Sequence, residues 1–315
     1  MSQIDTEIAK AIDEAFATHR EKTEGQNAVY IPFLASVPAD LTGLAFVSTQ
    51  GEIYTAGDAE YPFAIESISK VLTLALALEQ SGADELHAKV GAEPTGLGFN
   101  SVMALELHQG KPLTPLVNAG AISTVSLIKA ADKEARWQAI LNYQSRLMGA
   151  KIALSDEVNQ SEQATNSHNQ AISLLLKSSE RIYSDALEAC DVYTRQCSTL
   201  VTSVQLATMG ATLANGGFNP ITKEQVVSQH NVPHILAEMM MEGLYESSGD
   251  WAYDVGLPGK SGVGGGLIAV IPNVGGIAAF APPLDECGNS VKGQRMIKQV
   301  AKTLGWNIFN CSPST

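Results

Sequence analysis

The strand-like segments of this chain lie near its two ends, with a long run of helix-like segments between them. Leu44-Ala45-Phe46-Val47-Ser48-Thr49, the turn Gln50-Gly51 and Glu52-Ile53-Tyr54-Thr55-Ala56-Gly57 read as a β-hairpin. Late in the chain, residues 265–271 and 276–280 flank Pro272-Asn273 and read as another. Between them the periodic segments are helical: 118–129, 132–148, 169–178, 185–197 and 203–215, the last ended by Gly216-Gly217. Such strands form one antiparallel sheet only if the ends of the chain come together. Ile4, Ile8, Ile12 and Phe16 recur at helical spacing, so an amphipathic helix opens the chain, and another closes it over 290–304. The expected fold is therefore α/β of the α+β type, an antiparallel sheet flanked by the terminal helices. Residues 1–70 and 218–315 would form the sheet subdomain and 71–217 an inserted helical subdomain. A cleft between the two would have the segment around residue 67 at its base.

At 315 residues with a net charge of −13, the chain can bury a large core and would repel a polyanion, which argues against nucleic acid. No apolar run reaches the length that crosses a bilayer, so no membrane partner is expected. The opening Met1-Ser2-Gln3-Ile4-Asp5-Thr6-Glu7-Ile8-Ala9-Lys10 carries acids where an export signal carries bases. Cys190, Cys197, Cys287 and Cys311 show neither metal-ligand spacing nor a disulfide framework. These features point to the cytoplasm.

Three motifs carry chemistry. Ser67-Ile68-Ser69-Lys70 opens a helix whose apolar stretch, on to Leu78, holds Lys70 as its charge. Residues i and i+3 share a helix face, so the amine can lie over the hydroxyl. Burial and the positive helix N-terminus both favour the neutral amine, and a neutral amine beside a serine is a base beside a nucleophile. The plainer alternative is a surface lysine following a capping serine.

The second motif is Pro258-Gly259-Lys260-Ser261-Gly262-Val263-Gly264-Gly265-Gly266. It ends like a phosphate-binding loop but fails as one. Asp254 stands at the first glycine position, Pro258 removes a donor, and a strand follows. A strand opening with Lys-Ser-Gly would instead let a ligand lie against the backbone, with the N–H groups of Val263 and Ser67 facing a developing oxyanion. A glycine-rich turn with a solvated lysine is the simpler alternative. The third motif is Tyr193, either a packing anchor or a phenol between two ammonium groups, with its pKa lowered and able to pass a proton.

The order Ser-x-x-Lys, tyrosine, Lys-Ser-Gly resembles the serine β-lactamases and penicillin-binding proteins. A closer resemblance is to the bacterial serine-dependent glutaminases, which share that fold. It is carried by residues 26–32, Glu66 to Lys70, 94–101, 117–121, Ser161-Glu162-Gln163, His168-Asn169, Asp191-Val192-Tyr193, 241–245, 248–253 and 256–266. The resemblance implies a β-lactamase/transpeptidase-like fold and hydrolysis of L-glutamine to glutamate and ammonia. Ser67 would be the nucleophile, Lys70 its base, and Lys260 a neighbour of Tyr193 that keeps the phenol polarised. Tyr30, Asn118, Glu162, Asn169, Tyr193, Tyr245 and Val263 match substrate-contacting positions. No metal or organic cofactor is implied, and relatives suggest a homo-oligomer, a dimer or tetramer.

The residues accord with that substrate. Glu162 can pair with an α-ammonium, and Asn118 and Asn169 can donate to a carboxylate; without the resemblance they would read as a solvated acid and two helix caps. Two rivals stand beside this reading. A penicillin-recognising hydrolase or transpeptidase needs an exported chain, and a non-catalytic binding protein needs no lysine buried behind a serine.

Overall fold

The computed structural model describes residues 3–311; Met1 and Ser2 of the opening segment lie outside the described residues. From the N-terminal side run α1 (Gln3–His19), the single turn α2 (Pro32–Ala35), β1 (Gly43–Ser48), β2 (Ile53–Gly57), β3 (Phe63–Ala64), a 3-10 turn (Glu66–Ile68) and α3 (Ser69–Ser81). The middle gives α4 (Ala83–Lys89), α5 (Met103–Leu107), α6 (Asn118–Leu127), α7 (Lys133–Met148), β4 (Ala153–Leu154), α8 (Asp156–Ala164), α9 (Ser167–Ser178), α10 (Ala186–Cys197), β5 (Thr199–Val201) and α11 (Ser203–Ala214). Then come α12 (Val232–Glu242), a 3-10 turn (Tyr245–Ser247), α13 (Ser248–Asp254), β6 (Gly259–Ser261), β7 (Gly266–Ile271), β8 (Gly275–Phe280) and α14 (Val291–Leu304).

Five strands form one antiparallel sheet in the order β2-β1-β8-β7-β6. The early hairpin joins the late one along β1 and β8, with Ala45 opposite Ala278. Every residue of β1, β7 and β8 is buried, so both sheet faces are covered. Leu44, Phe46, Leu267, Ile277 and Ala279 pack with Ile8, Ile12, Met296, Ile297 and Val300 of the terminal helices. Ala45, Val47, Ile268, Val270 and Phe280 point the other way, into the core shared with the middle helices. There α11 lies close on β8 because both are bare at the contact: a Cβ on Gly210 would stand 2.8 Å from Gly276 Cα.

The middle of the chain departs from the helical expectation at two places. The short β4 and β5 pair with β3 into a second antiparallel sheet, ordered β3-β5-β4, with Ala64 opposite Leu200. That sheet fixes the backbone just ahead of Ser67, where Ile65 N–H donates to Thr199 O at 3.0 Å. Helix ends follow ordinary capping chemistry. Asp132 accepts from Ala135 N–H and Asp185 from Leu187 and Glu188, while Thr202 and Gln205 form a reciprocal capping box.

Candidate active site

Ser67 sits in the 3-10 turn, two residues ahead of the start of α3 rather than inside it. Lys70 falls in the first turn of α3 and is 1% exposed. Its Nζ is 2.5 Å from Ser67 Oγ and 3.0 Å from Asn118 Oδ1. Burial is the main cause that brings its pKa from 10.5 down to about 8, against opposing pulls from Cys197, Glu66 and Glu162. About half of the amine is therefore neutral at pH 8, where an ordinary lysine is almost wholly protonated.

From Asn118, at the start of α6, a polar chain runs outward. Its Oδ1 also accepts from Tyr193 OH at 3.0 Å, and its Nδ2 donates to Asn169 Oδ1 at 2.9 Å. Asn169 Nδ2 in turn donates to Asn166 Oδ1, and Asn166 Nδ2 to Thr194 Oγ1. Asn118 and Asn169 are thus network members rather than helix caps. Asn166, which the sequence reading passed over, locks the far end; a lone polar residue at a helix start gives no sign of this.

Tyr193 overturns one expectation. Its phenol is raised well above its usual value, first by burial, rather than lowered between two cations. Lys260 is fully buried and donates to Gly243 O at 2.9 Å and Ser261 O at 2.8 Å. Its Nζ lies 4.1 Å from the centroid of the Tyr245 ring, so the aromatic face it supports is that of Tyr245. Burial, then the nearby Lys70, hold Lys260 well below the usual lysine range.

Tyr245 is buried beside Ser67, within hydrogen-bonding reach of its hydroxyl, and its OH donates to Ser261 O at 3.3 Å. Tyr30 stands at the surface, 55% exposed, which suits a residue at a site mouth. Phe99 packs on the Tyr245 ring, while Thr95 binds Glu242 through its N–H and hydroxyl, tying the 94–101 segment to the same side.

The Lys-Ser-Gly strand comes close to the serine because its glycines lack side chains. A Cβ on Gly262 would stand 2.7 Å from Ile65 O, and one on Gly264 2.4 Å from Ala64 O. Val263, between them, is 7% exposed. Gly259–Ser261 form a strand paired with β7, Lys260 opposite Ile268, in place of a phosphate loop, and residues 262–265 that follow form a turn.

Glu66 is the functional candidate that sequence reasoning missed. It is 4% exposed, directly precedes Ser67, and adopts φ +51°, a left-handed conformation uncommon outside glycine. Tyr245 does the same at φ +57°. Strain of this kind, roughly 1–3 kcal/mol per residue, persists where surrounding structure imposes it. The available signal was a second charge beside the apolar run of α3.

An antiparallel sheet covered by terminal helices, with a buried Ser-x-x-Lys turn facing a Lys-Ser-Gly strand, defines a β-lactamase-like fold. Comparison with known proteins narrows the class. A family model described as Glutaminase matches residues 25–309. The chain is 64% identical over 302 residues to a glutaminase of Escherichia coli O81 (strain ED1a), covering 96% of this chain and 97% of that protein. A solved structure described as a probable glutaminase superposes with a TM-score of 0.97 at 62% identity, over 99% of this chain and all of that one. Another, described as Mglu in its glutamate form, gives a TM-score of 0.92 at 31% identity, over 97% of this chain and 70% of that one. The chain belongs to the glutaminase family.

Proposed function

We propose that this chain hydrolyses the side-chain amide of L-glutamine to glutamate and ammonia through a γ-glutamyl ester on Ser67, with Lys70 as general base. The observation that carries the reading is the 2.5 Å contact between Lys70 Nζ and Ser67 Oγ, both residues being buried. A neutral amine accepts the hydroxyl proton as Oγ attacks the amide carbon. The N–H groups of Ser67 and Val263 receive the oxyanion, an arrangement supported by the close approach of residues 262–264 to 64–66. Lys70, now an ammonium, returns the proton to the leaving nitrogen. Tyr193 is less suited to that step, because its phenol is buried and its proton is engaged by Asn118.

The polar chain through Asn118 and Asn169 suits the substrate carboxylate, and Glu162 suits its ammonium. Asn118 accepts from two donors and still donates, so its orientation is fixed before the substrate arrives. Tyr30 and Tyr245 would close over the ligand from the mouth and from the Ser67 side. Family resemblance adds a cytoplasmic homo-oligomer, a dimer or tetramer, to this reading, checked by light scattering of the purified protein.

The decisive experiment is ammonia release from glutamine and asparagine side by side, with Ser67→Ala as control and intact-mass detection of an acyl adduct on slowly turning enzyme. Loss of activity in Ser67→Ala, with native circular dichroism retained, is expected. Brisk turnover without an adduct at position 67 would refute the ester.

A further inference from the structure

Glu66 is the titratable group beside Ser67 to which the mechanism above gives no task. It is enclosed from several sides. Cβ atoms on Gly262 and Gly264 would stand 3.3 Å from its Cβ and Cγ, so those bare glycines roof its side chain. The carboxyls of Glu66 and Glu162 lie within hydrogen-bonding reach of each other. Each also has a fully buried Oε1 with no protein partner. Two anionic carboxylates cannot share a dry contact, because neither has a hydrogen to offer and their charges repel.

The groups facing the pair are Lys70 from α3, Tyr30 from the segment before α2, Tyr193 and Cys197 from α10, and Tyr245 from the 3-10 turn after α12. Lys70 is the cation among them, and it is largely neutral when it serves as base. One proton on the pair is therefore the balance that leaves Lys70 usable. Burial raises both carboxyls above the usual carboxylate range, and the charge of Glu162 pushes Glu66 further up. Glu66, 4% exposed and roofed by Gly262 and Gly264, lies deeper than the half-buried Glu162, so it is the costlier of the two to ionise and keeps the proton as donor.

We propose that Glu66 is a specificity-determining residue, a neutral carboxyl that donates to the carboxylate of Glu162 and so leaves the pair one negative charge and two free oxygens for the substrate's α-ammonium. The proposal rests on the reading that the site takes a free α-amino acid amide. It deepens that reading, because a single charge matches an ammonium where a double charge would hold Lys70 protonated. Molecules whose amine is acylated would leave the buried carboxylate unpaired and be rejected.

The first test is an infrared difference spectrum of the full-length protein between neutral and alkaline pH. A protonated-carboxyl band, shifted in heavy water, is expected in the wild type and absent from Glu66→Gln. No such band in the wild type would overturn the proposal. The second test is the split between KM and kcat. Glu66→Leu removes the donor and should raise the KM for glutamine about tenfold or more, with kcat moving by less than about threefold. Glu66→Gln restores a donor without a charge and should recover most of that loss. A Glu66→Gln KM as poor as that of Glu66→Leu would show that an ionised Glu66 is needed, and an unmoved KM in Glu66→Leu would remove Glu66 from binding; either result overturns the proposal. Should Glu66→Leu not fold, the infrared comparison with Glu66→Gln decides alone. Because that readout needs no turnover, it still judges the carboxyl pair if ammonia release fails.

Discussion

Lys70 keeps two hydrogen-bond partners but loses its water, and the balance lowers its pKa to about 8 from 10.5. Activity should therefore rise with pH up to about 8 and then level, a limb read from kcat against pH. Lys70→Arg should abolish that limb and lose on the order of 10²–10⁴ in kcat, because guanidinium stays protonated. The same burial costs stability. Below about pH 8 both folded and unfolded chains hold the proton, and the folded state bears the whole penalty, roughly 3 kcal/mol. Between about 8 and 10.5 the unfolded chain alone holds it, and the penalty fades as pH rises. Lys70→Met should be more stable than the wild type at pH 7 in urea melts, with the gap closing above about pH 10. At this scale the spacing of Ser67 and Lys70 could be read from sequence, since three residues on one helical face is a local rule. The partnership of Glu66 with Glu162 could not, because nearly a hundred residues separate them and the two anions would be expected to avoid each other.

The serine turn is held by neighbouring elements more than by its own helix. β3 and β5 pin Ile65, and the loop after β6 presses on Ala64 and Ile65 through Gly262 and Gly264. Gly264→Ala would place a methyl 2.4 Å from Ala64 O, so the loop must lift and carry the Val263 N–H with it. Removing one oxyanion donor, the role proposed for that N–H, costs about 10²–10³ in rate. Gly264→Ala should therefore lower kcat by at least about tenfold while KM and the far-ultraviolet spectrum stay near the wild type. Equal losses in KM and melting point would mean that the glycine serves packing alone. Longer elements were legible in the sequence because they repeat a period and end on caps such as Asp132, Asp185 and Ser290. β3, β4 and β5 are two or three residues long and carry no period, so their sheet emerges only from tertiary pairing. The left-handed Glu66 and Tyr245 were invisible for a related reason: nothing in their side chains favours that conformation, and their surroundings impose it.

Across the whole molecule, β1 pairs with β8 more than two hundred residues later. This follows from the placing of strand-like segments near both ends, which is why the sheet could be anticipated. Its cost is entropic and kinetic, since loop closure over that span must precede the reward of burial. The outer sheet face is finished only when α1 and α14 pack across Phe46, Leu267 and Ile277. Ile297, fully buried on α14, belongs to that closure and contributes nothing to the serine site. Ile297→Ala should cost about 2–5 kcal/mol in denaturant melts, because the covered sheet cannot collapse into the space left. The same variant should keep kcat and KM at temperatures where it is folded. The alternative is that the outer layer transmits strain through β6 and β7 to Val263, which would appear as a fall in kcat well below the melting range. An unchanged kcat beside a lowered stability would separate the layer that closes the fold from the serine turn and the loop after β6 to which the chemistry is assigned.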